Sequence, residues 1–429
     1  MAQDPLCLLC VEPRFPGRLG AVADWLVRTR GYRCWFFCHG VEPQDRWPGS
    51  TGRGLEVVRF DVGGVARERS VSWTRSLERG LCYAYGAWEV IEARRPRPVD
   101  VVLGRSSGLG STLFVPAFAP RAPVVNLFDY YYHPRRLDLA DELVDRLPPD
   151  YVNWRVAANA MDLLDLENGV VPWTSTEWQR SLYPSEYRGD FVVQHEGVDL
   201  RRFRGESRRW GARGRSIAGR PVPEGAKVVS FVATTPDRLR GFDRFVSLAN
   251  RLLRERPDVI CVVVGGGTVT RALDVEHFGA DFAAITMGRE PVVDPERFWM
   301  LGEAAPDIVA GLLSASDLHV DPSRPYVLSR ATVEAMASGA VVLAWDSEPI
   351  REVIDDGRTG LLVPPGDPEA AARIALGVLA DPGAHRPIGE AARELARGRF
   401  DRDACLPRLA ELLDDLAKRS YAPPKRGGG

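Results

Sequence analysis

Residues 317–343 read DLHVDPSRPYVLSRATVEAMASGAVVL, and this stretch decides the fold class of the chain. The apolar segment LHV is followed by a loop, and the helical pattern after it places Val333, Met336 and Ala337 on one face. Gly339 follows this segment, and AVVL has the uniformly apolar composition of a buried strand. A strand, a helix and a second buried strand in this order predict a unit of a parallel sheet.

The same alternation of short apolar strands and amphipathic helices extends in both directions along the chain. One series runs from CLLCVEP to DFVVQHEGVD, and another begins with KVVSFVATT at Lys227. The sequence therefore predicts an α/β protein of two Rossmann-like domains, each with a doubly wound parallel sheet, facing a central cleft. The expected divisions are a domain over 1–205, a basic connector over 206–226, a second domain over 227–400, a last helix over 401–418 and a disordered tail over 419–429.

Composition and charge exclude several classes of protein. The formal net charge of −2 over 429 residues gives no overall field that would attract nucleic acid or an anionic membrane. The opening residues MAQDPLCLLCVEP lack the basic segment of a signal peptide, and no apolar run approaches the roughly 18–20 residues of a transmembrane helix. We therefore expect a cytoplasmic protein with no nucleic-acid partner, and the sequence leaves peripheral contact with a membrane open.

The seven cysteines allow two interpretations. The pairs Cys7/Cys10 and Cys34/Cys38 are spaced closely enough to suggest a zinc site. Both pairs, however, fall within apolar runs that predict buried strands, where residues three apart point to opposite faces. Buried reduced thiols are therefore favoured, and no metal is expected.

The loop RPYVLS and the helix after it form a candidate ligand site. Ser329 can cap the helix, and the first N–H groups of a helix suit a phosphate or a polyol. Glu334 lies one turn inside the helix and away from its apolar face. Two roles stay open for Glu334, namely a ligand contact or a surface glutamate that stabilises the helix dipole.

Arginines and glycines mark a second candidate site after the first strand of each predicted domain. In TTPDRLRGFDRF, Arg240 places a permanently charged, bidentate donor beside Gly241, which allows close backbone approach, and Arg238 could supply a second cation. The corresponding loop of the first domain, FPGRLG, contains Gly17 and Arg18 but lacks the full G-x-G-x-x-G fingerprint. Both loops are candidate phosphate sites.

The order and spacing of these segments resemble the retaining glycosyltransferases of family 4, which have the GT-B architecture. The resemblance covers roughly residues 5–415 and implies that the C-terminal helix returns to the first domain. The segments that carry it are FPGRLGAVADWLV, PVVNLFDYYYH, STEWQRSLYP, HEGVDLRRF, RGFDRF, VVVGGG and, most specifically, the block from SASDLHVDPS to LLVPPGDPEAAA.

The resemblance also implies roles for the helix that follows PYVLS. An E-x7-E motif opens this helix in the family, and its second acid, which binds the ribose of the donor, falls at Glu334. The first acid is replaced by Tyr326, which is similar to a variant branch with an aromatic residue there. Main-chain N–H groups at Val327, Leu328 and Ser329 would then hold the diphosphate and the sugar.

The family places two cations on the diphosphate, and only one is matched here. Arg240 matches the second cation, whereas Thr234 stands where the first would be, so Arg238 is a candidate replacement. Gly17 is assigned to the donor as well, through the resemblance of its loop to a phosphate-binding turn.

On the acceptor side, the resemblance points to the end of the strand PVVNLF. Asp129 falls where family members often have a histidine, and it could position or deprotonate the acceptor hydroxyl. A strand-end cap or turn residue is the alternative for Asp129. His133 and Arg18 are weaker candidates for the acceptor side.

The activity implied by the resemblance is transfer of a sugar from a nucleoside-diphosphate sugar to a hydroxyl, with retention of configuration and without cofactor or metal. The acceptor stays open among a glycan, a lipid-linked glycan, a metabolite and a protein. Two alternatives remain, because an acid and a cation of the family pattern are missing. One is a non-catalytic or regulatory GT-B protein, and the other is an epimerase or non-glycosidic coupling enzyme.

Overall fold

The structure of the chain is a computed structural model in which two compact units are seen. The first unit holds the described residues as far as 196 together with those from Ala404 onward, and the second holds Gly197–Asp403. The predicted tail beyond 419 lies outside the described residues. The described ranges are 5–41, 54–62, 72–106, 112–134, 149–205, 216–266 and 281–419.

A seven-stranded parallel sheet forms the centre of the first unit. The strands of the first unit are β1 Cys7–Val11, β2 Arg14–Phe15, β3 Arg33–Cys38, β4 Gly40–Val41, β5 Leu55–Arg59, β6 Val101–Arg105, β7 Val124–Leu127, β8 Val171–Thr174 and β9 Val192–Val193. The order across the sheet is β5-β3-β1-β6-β7-β8-β9, and β2 pairs with β4 separately. The helices are α1 Leu19–Arg30, α2 Ser72–Arg94, α3 Val115–Phe118, α4 Pro149–Ala157, α5 Ala160–Glu167, α6 Glu177–Leu182 and α7 Ser185–Arg188.

A six-stranded parallel sheet forms the centre of the second unit. Its strands and those of a small hairpin are β10 Ser216–Ile217, β11 Arg220–Pro221, β12 Lys227–Val232, β13 Val259–Val264, β14 Phe298–Met300, β15 Leu318–Asp321, β16 Val342–Trp345 and β17 Leu361–Val363. The order across the sheet is β14-β13-β12-β15-β16-β17. The helices are α8 Phe242–Glu255, α9 Phe282–Arg289, α10 Pro306–Ala315, α11 Arg330–Ala337, α12 Glu348–Arg351, α13 Pro368–Ala380 and α14 Pro382–Phe400.

The predicted fold class is confirmed, with two α/β units built on parallel sheets. Strands such as β1 and β13 are buried along their whole length because helices cover both faces of each sheet, which explains their uniformly apolar sequences. The stretch 317–343 becomes β15, α11 and β16. Among the described residues, no helix is long and apolar enough to cross a membrane.

The last helix, α15 Arg402–Lys418, packs on the first unit, and its expected return is confirmed. Leu406, Leu409 and Leu413 are buried among the apolar side chains of β1, β3 and α1. The hydroxyl of Tyr32 also donates a hydrogen bond to the carboxylate of Asp414. An amphipathic helix at the end of the chain therefore completes a core that begins at the first strand.

Part of the stretch that the sequence predicts as an exposed connector belongs to the second unit. Strands β10 and β11 form an antiparallel hairpin, and Ile217 and Val222 are buried in the core of that unit. The isolated apolar residues among the arginines are the sequence feature that could have predicted this burial. Residues 206–215 of the predicted connector lie outside the described residues.

The segment 153–169, which the sequence predicts as one helix, is divided between α4 and α5 at Asn159. The side chain of Asn159 bonds to both the N–H and the C=O of Tyr132 at 2.8 Å, so it replaces main-chain partners. Arg155 is fully buried, and its Nε donates to the carbonyl of His133 at 2.7 Å. Although Arg155 and Asn159 are one helical turn apart in the sequence, both are buried and do not form a pair on a helix surface.

The four cysteines that raised the question of a zinc site lie in the core of the first unit. Cys7 and Cys10 are buried in β1, Cys34 and Cys38 are buried in β3, and all four are free thiols. Burial raises the pKa of the Cys10 thiol well above its usual value. These side chains pack as small apolar groups between sheet and helices.

A buried carboxyl group lies between α5 and the sheet of the first unit. Asp165 is 1% exposed, and its Oδ2 accepts a hydrogen bond from Asn126 Nδ2 at 3.0 Å. Among the residues that the structure describes, Asp165 Oδ1 and Asn126 Oδ1 both lack a hydrogen-bond partner. Burial raises the pKa of Asp165 to about 6, so this carboxyl group is ionised only at a cost near neutral pH.

The variant Asp165→Asn is expected to lose less stability than the wild type when the pH rises from 5 to 8. A raised pKa in the folded state stabilises the fold below the unfolded value, and this contribution is lost as pH rises through about 6. The stability gained by the variant should be about 1 kcal/mol larger at pH 8 than at pH 5. Urea unfolding at both pH values measures this, with the exposed Glu89→Gln as control, and parallel pH curves for variant and wild type would contradict it.

Candidate functional site

Each sheet has one point at which the strand order reverses, and the candidate residues gather there. In the first unit this point lies between β1 and β6, and in the second it lies between β12 and β15. Helices on either side of such a point leave in opposite directions, which opens a crevice at the carboxyl ends of the strands. The loops after these four strands are therefore the places where a ligand is expected.

In the second unit, the loop after β12 is closed tightly against the loop after β15. Asp237 Oδ1 accepts the main-chain N–H of Arg240 at 2.8 Å, which fixes the turn. Gly241 has φ +71°, and a Cβ there would lie 2.1 Å from the carbonyl oxygen of Pro322. Only glycine permits this conformation and this approach together. The close backbone approach predicted at Gly241 is therefore an approach to the loop after β15.

Arg324, which no sequence motif indicates, joins the same two loops. Its main-chain N–H donates to the carbonyl of Leu239 at 2.8 Å. Its guanidinium group forms a bidentate pair with Asp243 at 3.0 and 2.8 Å, and it also donates to the carbonyl of Arg238. Arg324 is 7% exposed, so it acts as an internal tie between the loops.

Arg238 and Arg240 differ from Arg324 because neither forms an ion pair with a carboxylate in the described part of the chain. Arg238 is 6% exposed, and its Nη1 has no hydrogen-bond partner. Arg240 Nη1 lies 3.4 Å from the carbonyl oxygen of Val327, and its guanidinium carbon lies 6.0 Å from the centre of the Tyr326 ring. Two uncompensated positive charges next to each other indicate a site for an anion.

Helix α11 begins beside these arginines. Ser329 is its N-cap residue, with extended backbone, but its side chain makes no capping hydrogen bond. The expectation that the hydroxyl of Ser329 caps the helix is therefore wrong. Val327 and Leu328 precede Ser329 in the same loop, where their main-chain N–H groups stay candidates for ligand contacts.

Glu334 lies one turn into α11 and is 8% exposed, so the alternative of a surface glutamate is wrong. Its Oε1 accepts a hydrogen bond from Arg330 Nε at 2.8 Å. Burial raises the pKa of Glu334, and the positive charge of Arg330 offsets part of this rise. A carboxylate that is buried near the start of a helix is a candidate acceptor for ligand hydroxyl groups.

In the first unit, the half-buried Arg18 and Arg105 form a network with three buried carboxylates. Arg18 Nε donates to Glu196 at 2.9 Å, and its Nη1 is bound to Asp129. Arg105 Nε donates to Asp129 at 3.0 Å, and its Nη1 lies 3.5 Å from Glu12. Glu12 follows β1, Arg105 ends β6 and Asp129 follows β7, which are strands at or beside the switch point. Arg18 directly precedes α1, and Glu196 follows the edge strand β9.

The sequence pattern indicates two members of this network and does not indicate the other three. Asp129 and Arg18 were candidates, whereas Glu12, Arg105 and Glu196 were not. The missed signal is a charged residue at or after the end of an apolar strand. It directly follows the strand in CLLCVE, ends it in VVLGR and stands shortly after it in VVQHE. Carboxyl ends of parallel strands meet at one edge of the sheet, so these charges were to be expected at the same edge.

The environment of Asp129 weakens its predicted role as a general base. Burial alone would raise the pKa of Asp129, but the charges of Arg105 and Arg18 outweigh it and lower the pKa. A carboxylate held in two ion pairs is a poor proton acceptor near neutral pH. His133 is likewise engaged, since its Nε2 lies 2.9 Å from the carbonyl oxygen of Leu182.

Comparison with known proteins connects both units to one family. Residues 30–203 match the Glycosyl transferase family 4 group, and residues 226–381 match the Glycosyl transferases group 1. A D-inositol 3-phosphate glycosyltransferase of Streptomyces scabiei is 32% identical over 76% of this chain and 70% of its own length. Another, from Corynebacterium kroppenstedtii, is 28% identical over 52% of this chain and 48% of its own length, so the chain matches about half of that relative.

The architecture agrees with that of solved GT-B glycosyltransferases. Alr3699/HepE of Anabaena, solved in complex with UDP-glucose, has a TM-score of 0.63 to this chain at 16% identity, covering 96% of this chain and 100% of the other. At this level of identity the likeness concerns the fold alone. Both units match models of the family, and the Streptomyces scabiei relative is covered over more than two thirds of its length. With the likeness in architecture, these matches show that this chain belongs to glycosyltransferase family 4 and has the GT-B fold.

Proposed function

We propose that the protein is a glycosyltransferase that moves a sugar from a nucleoside-diphosphate sugar to a hydroxyl acceptor, with retention of configuration. The observation that carries this proposal is the pair of uncompensated arginines, Arg238 and Arg240, at the switch point of the second unit. Membership of the family supports it, as does the likeness to a fold solved with UDP-glucose in another protein.

The donor would bind to the second unit. Arg240 and Arg238 would hold the diphosphate, and the main-chain N–H groups around Ser329 would add the positive end of the α11 dipole. Glu334 would accept hydrogen bonds from the ribose. The cation that is missing at Thr234 is replaced, in this proposal, by Arg238 from four residues further along the same loop.

The proposed mechanism depends on where negative charge develops during sugar transfer. Negative charge accumulates on the departing diphosphate as the glycosidic bond breaks, and preorganised donors that stabilise it contribute strongly to catalysis. Two guanidinium groups can supply this stabilisation, so we propose that the reaction proceeds without a metal. The acceptor would bind at the carboxyl edge of the first unit, where Asp129 holds Arg18 and Arg105 in place instead of removing a proton.

Nucleoside diphosphates are expected to raise the melting temperature of the wild-type protein, and the shift should persist in EDTA. Saturation at 100 times the dissociation constant adds about 2.7 kcal/mol of stability. Glu334→Ala should abolish most of the shift, whereas Arg254→Ala, an exposed arginine on α8, should keep it. A panel of nucleotides and their sugar conjugates identifies the base.

Turnover separates the candidate functions. Release of free nucleotide together with a sugar-bearing product supports the transferase, and inversion of configuration in the product would contradict retention. Nucleotide binding without any turnover would favour a non-catalytic protein. An absence of shift with every nucleotide would contradict the donor site itself.

A further inference from the structure

The turn between β1 and α1 is closed by a carboxylate of the chain itself. Glu12, 1% exposed, accepts the N–H of Arg18 on Oε1 at 3.1 Å and the N–H of Leu19 on Oε2 at 2.8 Å. A Cβ added at Gly17, which has φ +51°, would lie 2.4 Å from Glu12 Oε2. The glycine therefore serves the approach of Glu12, whose carboxylate occupies the position at which such a turn binds phosphate.

The two guanidinium groups at this edge, those of Arg18 and Arg105, are also bound by side chains of the protein. Arg18 is bound by Asp129 and Glu196, and its Nη2 also donates to Ser175 Oγ at 2.8 Å. Arg105 is bound by Asp129 through Nε at 3.0 Å. Among the described residues, the network contains three carboxylates and two guanidinium groups, so it carries one more negative than positive charge when all five groups are ionised. Every guanidinium nitrogen of Arg18 and Arg105 thus has a carboxylate or hydroxyl partner within the described part of the chain, and an anion of the acceptor would compete with these partners.

We propose that the acceptor is an unphosphorylated polyol, such as a sugar or a cyclitol, and that phosphate monoesters of the same compounds are rejected. This inference rests on the proposed function, which places the acceptor at the edge of the first unit. Its own basis is the network of Glu12, Arg18, Arg105, Asp129 and Glu196, which acts as a specificity determinant.

Physical reasons favour hydroxyl groups over a phosphate at this edge. A phosphate at Arg18 would compete with Asp129 and Glu196 for the guanidinium group, and either carboxylate would be weakened in its ion pair while it stays buried. Hydroxyl groups can donate to the same carboxylate oxygens without displacing them. The side chains of Arg18 and Arg105 are 25% and 29% exposed, so the network presents a surface to solvent. An amino group on the acceptor would be favoured by the excess negative charge.

The test compares matched acceptors with the full chain and its best donor. Several hexoses, amino sugars and cyclitols are each supplied as the free compound and as the phosphate monoester, and kcat/KM is measured for every pair. We expect the free compound to be preferred by at least about tenfold, because like charges placed together are costly. A phosphate ester that is the better acceptor would overturn the inference.

Two further measurements test whether the network itself causes the preference for the free compound. Glu196→Gln removes one negative charge while keeping the shape, so it should lower the preference several-fold, whereas the exposed Glu186→Gln should leave it unchanged. An unchanged preference in Glu196→Gln would overturn the role of the network. Binding of the same pairs is also measured by calorimetry with nucleoside diphosphate present. Tighter binding of the esters counts against the inference even if no transfer occurs, and missing transfer alone counts against the proposed function.

Discussion

Replacing Arg240 by alanine is expected to lower kcat/KM for sugar transfer by about 10²–10³-fold. The reason is that Arg240 is a cation without a carboxylate partner in the described part of the chain, so its charge is available to the departing diphosphate. Arg238→Ala should have an effect of the same order, because Arg238 is buried in the same loop and Nη1 has no partner.

Steady-state kinetics with the donor varied will measure these effects, with Arg254→Ala as the matched control. A binding assay adds a second readout. Affinity for a nucleoside diphosphate should fall strongly in both variants, whereas affinity for the nucleoside should change little, since the arginines are assigned to the phosphates. Wild-type kinetics in Arg240→Ala would remove this residue from the site.

Replacing Arg18 by alanine is expected to destabilise the protein by about 3 kcal/mol. The loss is large because Asp129 and Glu196, at 5% and 8% exposure, would each lose an ion-pair partner while remaining buried. The value lies at the low end of the range for such losses because Arg105 still binds Asp129.

Urea unfolding at pH 7 measures this destabilisation, and Arg14→Ala, an exposed arginine in β2, provides the control. The charges of Arg105 and Arg18 lower the pKa of Asp129, so the stability that Asp129 contributes is present above its unfolded pKa and lost as pH falls through the folded value. The difference between variant and wild type should therefore shrink in acid. Adding Glu196→Gln to Arg18→Ala should recover part of the loss, and a purely additive double variant would contradict the coupling.

The fold was predictable because its signal is local. The buried strands are short segments rich in apolar residues, and the longer helices repeat their apolar residues at helical spacing. The stretch 317–343 therefore already defines strand, helix and strand. The apolar stripe of α15 likewise indicated a helix in need of a partner surface. The break at Asn159 was not predictable, because it depends on hydrogen bonds to Tyr132, which is 27 residues away.

The donor residues were found from sequence for a similar reason. Arg238, Arg240 and Glu334 lie in two short segments whose positions after β12 and β15 follow from the alternation of strands and helices. The sequence position of a charged side chain does not show whether that side chain is paired. Arg324, three residues after Asp321, looks like its neighbours in the sequence, yet it is neutralised by Asp243.

By itself, then, the sequence determined the α/β class, the two sheets and the loops that carry the candidate donor residues. Tertiary structure alone decided the charge state of the first unit's edge. Arg18 meets Asp129 and Glu196 across 111 and 178 residues of chain, and Glu12 turns back on the helix that follows it. Local patterns carry no information on such distant pairings, because the energy of a charge depends on which other charges the fold brings within a few ångströms.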